Sequence, residues 1–369
     1  MRELIRRGGA SLLSHTKLKR ERLVTISGIR GVQISIYSTI ASFIVFSIVL
    51  SVEGADPLTA YQNMFSFALD PQLGLPLTIH RSMLILFSTL AFIVPLRAGF
   101  WNIGMEGQFY LGTIGAFFVA YSLPDYPPEV LIPLMILSGM VFGALYGALA
   151  GILRGKFNVN EVVVTLMLNN IAFWMVYLLT VGGPWAGTAE STSRPLPKNA
   201  QAPFILGTPF TTFLAIAFAF ILYFFLSKTV AGFKIRILGH SPTAAKFVGI
   251  DEFKTAVLVM SLGGALAGVA GYHMWAGDPA YLRIPRPDAY KAVGDLTYWG
   301  IIIGLVCLLN PIPAMPASFF IGSIIVGSTV LVRRFRLPFG LDFLFLGIIS
   351  IIFATFQFFL YYRIKVKGK

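Results

Sequence analysis

At 369 residues, 56% hydrophobic and only 12% charged, with a mean hydropathy of +0.77, the chain is far too apolar for an ordinary soluble protein of its length. Its formal net charge of +13 does not point to nucleic acid, because Lys and Arg gather at the chain ends and in one mid-chain loop rather than along a repeated face. The single cysteine, Cys307, lies inside an apolar run, which excludes a disulfide framework and a thiolate metal site and reads as a small buried hydrophobe.

These features predict an all-α integral membrane protein. The first 31 residues carry eight Lys or Arg before any apolar run, too long and too charged for the head of a cleaved signal peptide. They read as a basic cytoplasmic arm, 1–31. A spanning helix takes about 20 mostly apolar residues. Ten stretches meet or approach that length: 32–52, 76–96, 103–121, 130–152, 160–181, 209–227, 254–276, 295–309, 314–332 and 341–362. The eighth is short and is expected to tilt or to be continued by its flanks. The membrane domain is thus 32–362, with a cytoplasmic tail over 363–369.

With both termini inside, nine of the 29 Lys and Arg residues fall in outer segments and the rest inside, the asymmetry expected of an inner-membrane protein. Arg333, Arg334 and Arg336 sit on the outer side against that rule, either as a tolerated late exception or because the ninth span is misplaced. Two outer segments, 51–75 and 182–209, are too long for simple turns and are expected to face an external partner.

The run from Arg97 to Gln108, RAGFWNIGMEGQ, sets Asn102, Glu106 and Gln108 among Gly99, Gly104 and Gly107 at the entrance to the third span. Glycines let a helix break and let backbones approach, and a broken helix frees polar groups that must line a cavity or be buried in protein. A broken or re-entrant helix is therefore expected near 97–108. Glu106 reads either as a pathway residue, since an ionisable side chain in a span is costly, or as a helix-start carboxylate complementing the dipole.

The run from Phe157 to Asn170 opens the fifth span with Asn160 and Glu161 and returns to amides at Asn169 and Asn170. Asn158 or Asn160 is placed to cap that helix. Thr165 and Asn169, four apart, share a face, as interhelical glue or as contacts for a polar solute. In the loop 228–253, Ser241 and Pro242 mark a helix start and Gly249 a stop, so a short helix is expected over 242–248. Ala244 and Ala245 leave room there for close docking. The small-residue run 263–271, with Gly264 and Gly268 at four-residue spacing, predicts tight helix packing.

No Gly-rich loop ends in Gly-Lys-Ser or Gly-Lys-Thr, and no HExxH or nucleophile triad is present. The four histidines, His15, His80, His240 and His273, read as structural. The chain is expected to be a transport subunit without a catalytic site, and to bind no nucleic acid.

Taken in order, RAGFWNIGMEGQFYLG, KFNVNEVVVTLMLNNIA, ILGHSPTAAKFVGI and LGGALAGVAG resemble the permease subunits of bacterial and archaeal ABC importers. The resemblance is to the nucleoside and simple-sugar branch of the ribose and branched-chain amino acid type, and it covers roughly 76–360. It implies a multi-pass protein of the prokaryotic plasma membrane, paired with a second permease as a heterodimer, with two cytoplasmic ATPase subunits and an external substrate-binding lipoprotein. ATP and magnesium would sit on the ATPases and no cofactor on this chain.

The resemblance makes the short helix a coupling helix, with Gly239, His240, Ser241, Pro242, Ala244, Ala245 and Gly249 as the ATPase-coupling segment. It makes Asn102, Glu106, Gln108, Asn160, Glu161 and Asn169 candidates for the substrate pathway or for the polar joints that hold it. Nucleosides are the first substrate class, simple sugars the second and branched-chain amino acids a distant third. Asp295 and Trp299 depart from the family pattern in the eighth span. A stand-alone secondary transporter or channel, and a membrane-embedded enzyme, are the rival classes.

Overall fold

The structure is a computed structural model that describes residues 17–22, 28–188, 192–278, 282–284, 291–335 and 341–367. Most of the basic arm, His15, Arg336 and the last two residues of the tail lie outside the described residues.

Every predicted apolar stretch falls on a helix. These are α1 (Gly28–Val52), α3 (Gly74–Arg97), α4 (Met105–Ser122), α5 (Pro128–Phe157), α6 (Glu161–Thr180), α7 (Thr211–Lys228), α10 (Glu252–Ala276), α11 (Lys291–Val306), α12 (Pro311–Arg334) and α13 (Leu341–Tyr361). Three further helices lie between them: α2 (Pro57–Ala68), α8 (Val230–His240) and α9 (Pro242–Phe247). Among the described residues, seven helices are long and apolar enough to cross a membrane. α4 is not among them, and α11 and α13 contribute the shorter apolar segments Thr297–Val306 and Leu344–Phe356. The eighth predicted stretch is continued on its N-terminal side, beginning at Lys291, and ends three residues earlier than expected, at Val306.

The chain divides into two compact units, one made of Met1–Gly54 with Phe343–Lys369 and the other of Ala55–Asp342. In the first, the Phe345 ring of α13 stacks on Phe46 of α1 at 4.0 Å and meets Phe43 edge-on at 5.4 Å. The basic strands β1 (Lys17–Arg22) and β4 (Tyr362–Lys367) pair antiparallel in the same unit, Lys17 opposite Lys367 and Arg22 opposite Tyr362.

In the larger unit α3 is the central helix: 83% of its apolar stretch is buried, against 33% for α5 and 28% for α6. The tightest contact joins α5 to α10. α5 carries glycine at every fourth position from Gly139 to Gly155, and a Cβ at Gly143 would lie 2.2 Å from the Gly264 carbonyl oxygen. A Cβ at Gly268 would lie 2.2 Å from the carbonyl oxygen of Gly139. Such backbone-to-backbone approach suits association in lipid, where close packing does the work that the hydrophobic effect does in water.

The segment 51–75 is largely helix. Asp56 caps α2, its Oδ2 accepting from the Thr59 amide at 2.8 Å and the Thr59 hydroxyl at 2.6 Å, and Pro57 occupies the first turn. Ala60, Met64 and Ala68 face inward, and a Cβ on Gly327 of α12 would lie 2.4 Å from Met64 Cγ.

The described part of 182–209 is tied down rather than free. The Tyr121 hydroxyl donates to the Arg194 carbonyl at 2.6 Å, with the Arg194 guanidinium 4.2 Å from the Tyr121 ring centre. The Ser193 amide donates to the Ile284 carbonyl at 2.9 Å, and the Ala202 amide to the Ala276 carbonyl at 2.9 Å. A small hairpin of β2 (Phe204–Ile205) and β3 (Thr208–Pro209) ends the segment.

Candidate functional site

The predicted break is present between α3 and α4. Gly99 takes φ +89, the left-handed value that a helix-ending glycine supplies, and the Phe100 amide still reaches back to the Pro95 carbonyl at 3.0 Å. Residues 100–103 then run without helix until α4 starts at Met105.

Asn102 and Gln108 hold the break from inside. Asn102 Nδ2 donates to Gln108 Oε1 at 2.9 Å, and Gln108 Nε2 donates to Asn102 Oδ1 at 3.0 Å. Asn102 Nδ2 also donates to the Ala91 carbonyl at 3.3 Å, while its Oδ1 accepts from the Gly104 amide at 3.2 Å. Both side chains are buried, so their amide groups are satisfied by protein, as burial demands.

α6 supplies the other half of the joint. Asn169 Oδ1 accepts from the Gly107 amide at 2.8 Å, capping one of the orphan N–H groups at the start of α4, and its Nδ2 donates to the Ile103 carbonyl at 3.0 Å. The spacing of the two motifs is matched. A Cβ at Gly104 would lie 2.8 Å from Thr165 Cβ, and one at Gly107 would lie 2.9 Å from Asn169 Oδ1. Glycine at the cap and in the first turn of α4 therefore makes room for the Thr165 and Asn169 face of α6.

Glu161 clamps the break from its other end. Its Oε1 accepts from the Trp101 amide at 3.3 Å, and its Oε2 lies 3.2 Å from Arg154 Nε. Asn160 caps α6, its Oδ1 accepting from the Val162 and Val163 amides at 2.9 and 3.3 Å. Asn158, the other capping candidate, instead ends α5 with φ +53 and accepts a hydrogen bond from Arg154. Glu106 differs from the amides. It sits half-buried in the first turn of α4, where a carboxylate complements the helix dipole, and accepts from the Tyr110 hydroxyl at 2.8 Å.

The segment 228–253 forms a helix pair. Ser241 ends α8 and begins α9, its Oγ accepting from the Ala244 amide at 3.2 Å, with Pro242 in the first turn as expected. α9 ends at Phe247, one residue before the expected 248, and Gly249 follows in the left-handed region at φ +75. Ala244 and Ala245 part company here: Ala245 is buried and Ala244 exposed, beside Phe247 at 87% and Val248 at 66% exposure. Pro242 and His240 are exposed. Gly239 has no room for a side chain, since a Cβ there would lie 2.1 Å from the Arg97 carbonyl oxygen.

Two relationships were not foreseen from the sequence. Arg97 Nε donates to the Leu309 carbonyl at 2.9 Å and Nη2 to the Leu308 carbonyl at 3.3 Å, across more than 200 residues. His80 and His273 stack with ring centres 4.4 Å apart. His273 Nδ1 is 2.7 Å from Thr211 Oγ1 and its Nε2 2.9 Å from the His80 carbonyl. Among the described residues no three His, Cys, Asp or Glu side chains are grouped to hold a metal.

A many-helix membrane protein with a glycine-broken helix, polar joints between spans and an exposed helix pair has the architecture of a transport permease. Residues 77–355 match the family described as branched-chain amino acid transport system / permease component, and the chain belongs to that family. It is similar to the glucose ABC transporter permease protein TsgB13 of Haloferax volcanii, 27% identical over 345 residues, 90% of this chain and 89% of that one. The nucleoside ABC transporter permease protein NupB of Lactococcus lactis is 26% identical over 311 residues, 81% of this chain and 84% of that one. The guanosine ABC transporter permease protein NupP of Bacillus subtilis is 28% identical over 257 residues, 68% and 72% of the two chains. A second permease of each of the latter two organisms, NupC and NupQ, is similar as well.

Proposed function

We propose that this ABC permease imports nucleosides by alternating access, driven by separate ATPase subunits that seat on the loop 228–253. The observation that carries the coupling reading is the helix pair α8–α9, whose apolar Phe247 and Val248 stand exposed while Ala245 anchors the pair inward and Gly239 rests on the Arg97 backbone. An exposed apolar tip on a firmly seated base suits insertion into a groove on a soluble partner. ATP closure acts on such a machine only through contact energy that differs between its two states.

In this reading both termini and the loop 228–253 are cytoplasmic, the segment 182–209 faces an external substrate-binding lipoprotein, and ATP and magnesium are held by the ATPases. That two different permeases of one organism resemble the chain, in two organisms, supports a heterodimer. Glu106, half-buried beside the buried amide joint, is the residue placed to meet solute. Asn102, Gln108, Asn160, Glu161 and Asn169 serve as the joint that shapes the pathway.

Nucleosides come first because two of the three relatives described above are named for nucleosides or guanosine. A simple sugar is the second reading, favoured by the long match to the glucose permease. Purification of the tagged chain in mild detergent, followed by uptake of labelled guanosine and labelled glucose into proteoliposomes containing the recovered complex, separates the two. ATP-dependent guanosine uptake that excess glucose leaves unchanged is the expected result. A chain that purifies alone and moves either solute on an ion gradient would overturn the ATP-driven reading.

A further inference from the structure

Arg97 stands where three parts of the larger unit meet. Its backbone is the seat of α8, because Gly239 leaves no room for a Cβ against the Arg97 carbonyl, and a Cβ at Gly99 would in turn lie 3.6 Å from Gly239 Cα. Its side chain leaves in another direction, to the turn between α11 and α12, where Nε and Nη2 bond the Leu309 and Leu308 carbonyls. α11 itself rides on α3, the helix that Arg97 ends: a Cβ at Gly300 would lie 2.7 Å from the Ser88 backbone, and one at Gly304 2.7 Å from the Phe92 ring.

That turn is under strain. Leu308 and Leu309 take φ +54 and +56 in succession, in the left-handed region that an L-leucine rarely occupies and that two adjacent ones occupy only when their surroundings impose it. Backbone hydrogen bonds close the turn, from the Leu309 amide to the Gly304 carbonyl at 2.9 Å and from the Asn310 amide to the Cys307 carbonyl at 3.0 Å, and the guanidinium fork, bonded to both leucine carbonyls, is the side-chain contact that holds it. Directly after it, Asn310 Oδ1 accepts from the Ile312 amide at 3.1 Å and starts α12. A second cation, Arg236 on α8, stands near enough to act electrostatically on the partly buried Arg97, and its Nη1 is buried without a hydrogen-bond partner. Left-handed backbone and a neighbouring cation both bear on this one side chain.

We propose that Arg97 is the transmission residue of this transporter: movement of α8–α9, seated on its backbone, reaches the α11–α12 turn through its guanidinium, and the left-handed leucine pair relaxes when that fork withdraws. The inference rests on reading 228–253 as the ATPase-coupling loop. It adds a named route from that loop to a pair of membrane helices, and a reason the route has two states. Arg97 is a positioning residue and touches no solute.

The experiment uses the complete transporter, with its partner permease, ATPases and binding protein, in proteoliposomes, and reads ATP hydrolysis and labelled guanosine and glucose uptake from the same vesicles. Arg97→Gln is expected to retain its ATPases and their hydrolysis while uptake per ATP falls by about tenfold, a coupling of ordinary size. Arg97→Lys, a point donor instead of a fork, is expected to fall between. Leu308→Gly with Leu309→Gly lets the turn rest in its present shape without strain and is expected to lower uptake with assembly intact.

The combination of Arg97→Gln with both glycines decides between transmission and mere support. A residue that only props up the turn is rescued by glycines that adopt the turn unaided, whereas a transmission residue is not. Rescue, or an Arg97→Gln complex whose uptake per ATP equals that of the wild type, overturns the proposal while leaving the coupling reading in place. A wild-type chain that recruits no ATPase removes that reading instead, and this inference with it. Should Arg97→Gln fail to assemble, unchanged uptake in the double-glycine variant alone is the overturning result.

Discussion

Asn102 and Gln108 exchange two hydrogen bonds, 2.9 and 3.0 Å long, between a non-helical segment and the first turns of the helix that follows it. Removing one partner strands the other in a buried site, at about 1–3 kcal/mol. Asn102→Ala and Gln108→Ala are therefore each expected to lower the midpoint of thermal unfolding in detergent. The double variant is expected to cost less than the two single losses together, because the second removal strands nothing further. Strict additivity would show that the pair does not act as a unit.

Glu106→Ala is expected to reduce solute uptake while leaving expression and subunit recovery at wild-type levels. Glu106→Gln, which keeps an acceptor for Tyr110 but removes the charge, separates the two roles of the side chain. If it transports like wild type, the hydrogen bond from Tyr110 matters and the charge does not. Normal uptake by Glu106→Ala itself ends the pathway assignment.

The two faces of α9 are expected to fail differently. Phe247→Asp, on the exposed face, should release the ATPases from a permease that remains folded, visible as their loss from a pulldown with an unchanged gel-filtration profile. Ala245→Asp places a carboxylate at a fully buried position and should instead destabilise the loop, read as faster proteolysis within 228–253.

Glycine substitutions offer a matched comparison. Gly264→Ala must push a methyl against the Gly143 backbone, 2.1 Å from its carbonyl oxygen, and overpacking of this kind costs about 1–3 kcal/mol. Gly347→Ala meets nothing within 4 Å and gains up to about 1 kcal/mol of helix propensity. Opposite shifts in detergent unfolding midpoints are expected, and equal shifts would mean that α5 and α10 do not meet through these glycines.

Asp56 provides a pH-dependent element. Hydrogen bonds from the Thr59 side chain and amide hold its carboxyl below the ordinary carboxylate range. A depressed folded value means that the cap's contribution is present above the unfolded value, about 3.9 for a free Asp, and is lost as pH falls through the folded value. The first turn of α2 is expected to exchange its amides faster below about pH 4, relative to the rest of the helix. Asp56→Asn should abolish that pH dependence.

Much of the architecture was legible, for reasons that differ by element. Long apolar stretches name their own helices, because a backbone in lipid has few other ways to satisfy its polar groups. The short helix at Pro242 announced itself through Ser241, whose hydroxyl caps it as expected. Two further local signals lie in the sequence. Asp56 followed by Pro57 marks the start of α2 within 51–75, and the four-residue glycine ladder from Gly139 to Gly155 mirrors the small-residue run of α10.

What stayed hidden is of another kind. That Asn102 would bond Gln108, and Asn169 the backbone of Ile103 and Gly107, depends on which helices meet. A polar residue in an apolar stretch declares that it needs a partner without saying which. Arg97 opens the glycine-rich run in the sequence, yet its partners lie 211 and 212 residues away.

The pairing of β1 with β4 carries a constraint on topology that no hydropathy profile supplies. Strands hydrogen-bonded along Lys17–Arg22 and Tyr362–Lys367 occupy one and the same side of the bilayer, so the path between them must cross it an even number of times. Seven crossings, the number of long apolar helices among the described residues, is an odd count and cannot be the whole path. Parity is restored if one of those seven does not traverse or if α4, α11 or α13 does, and if all seven and all three cross, the crossings number ten.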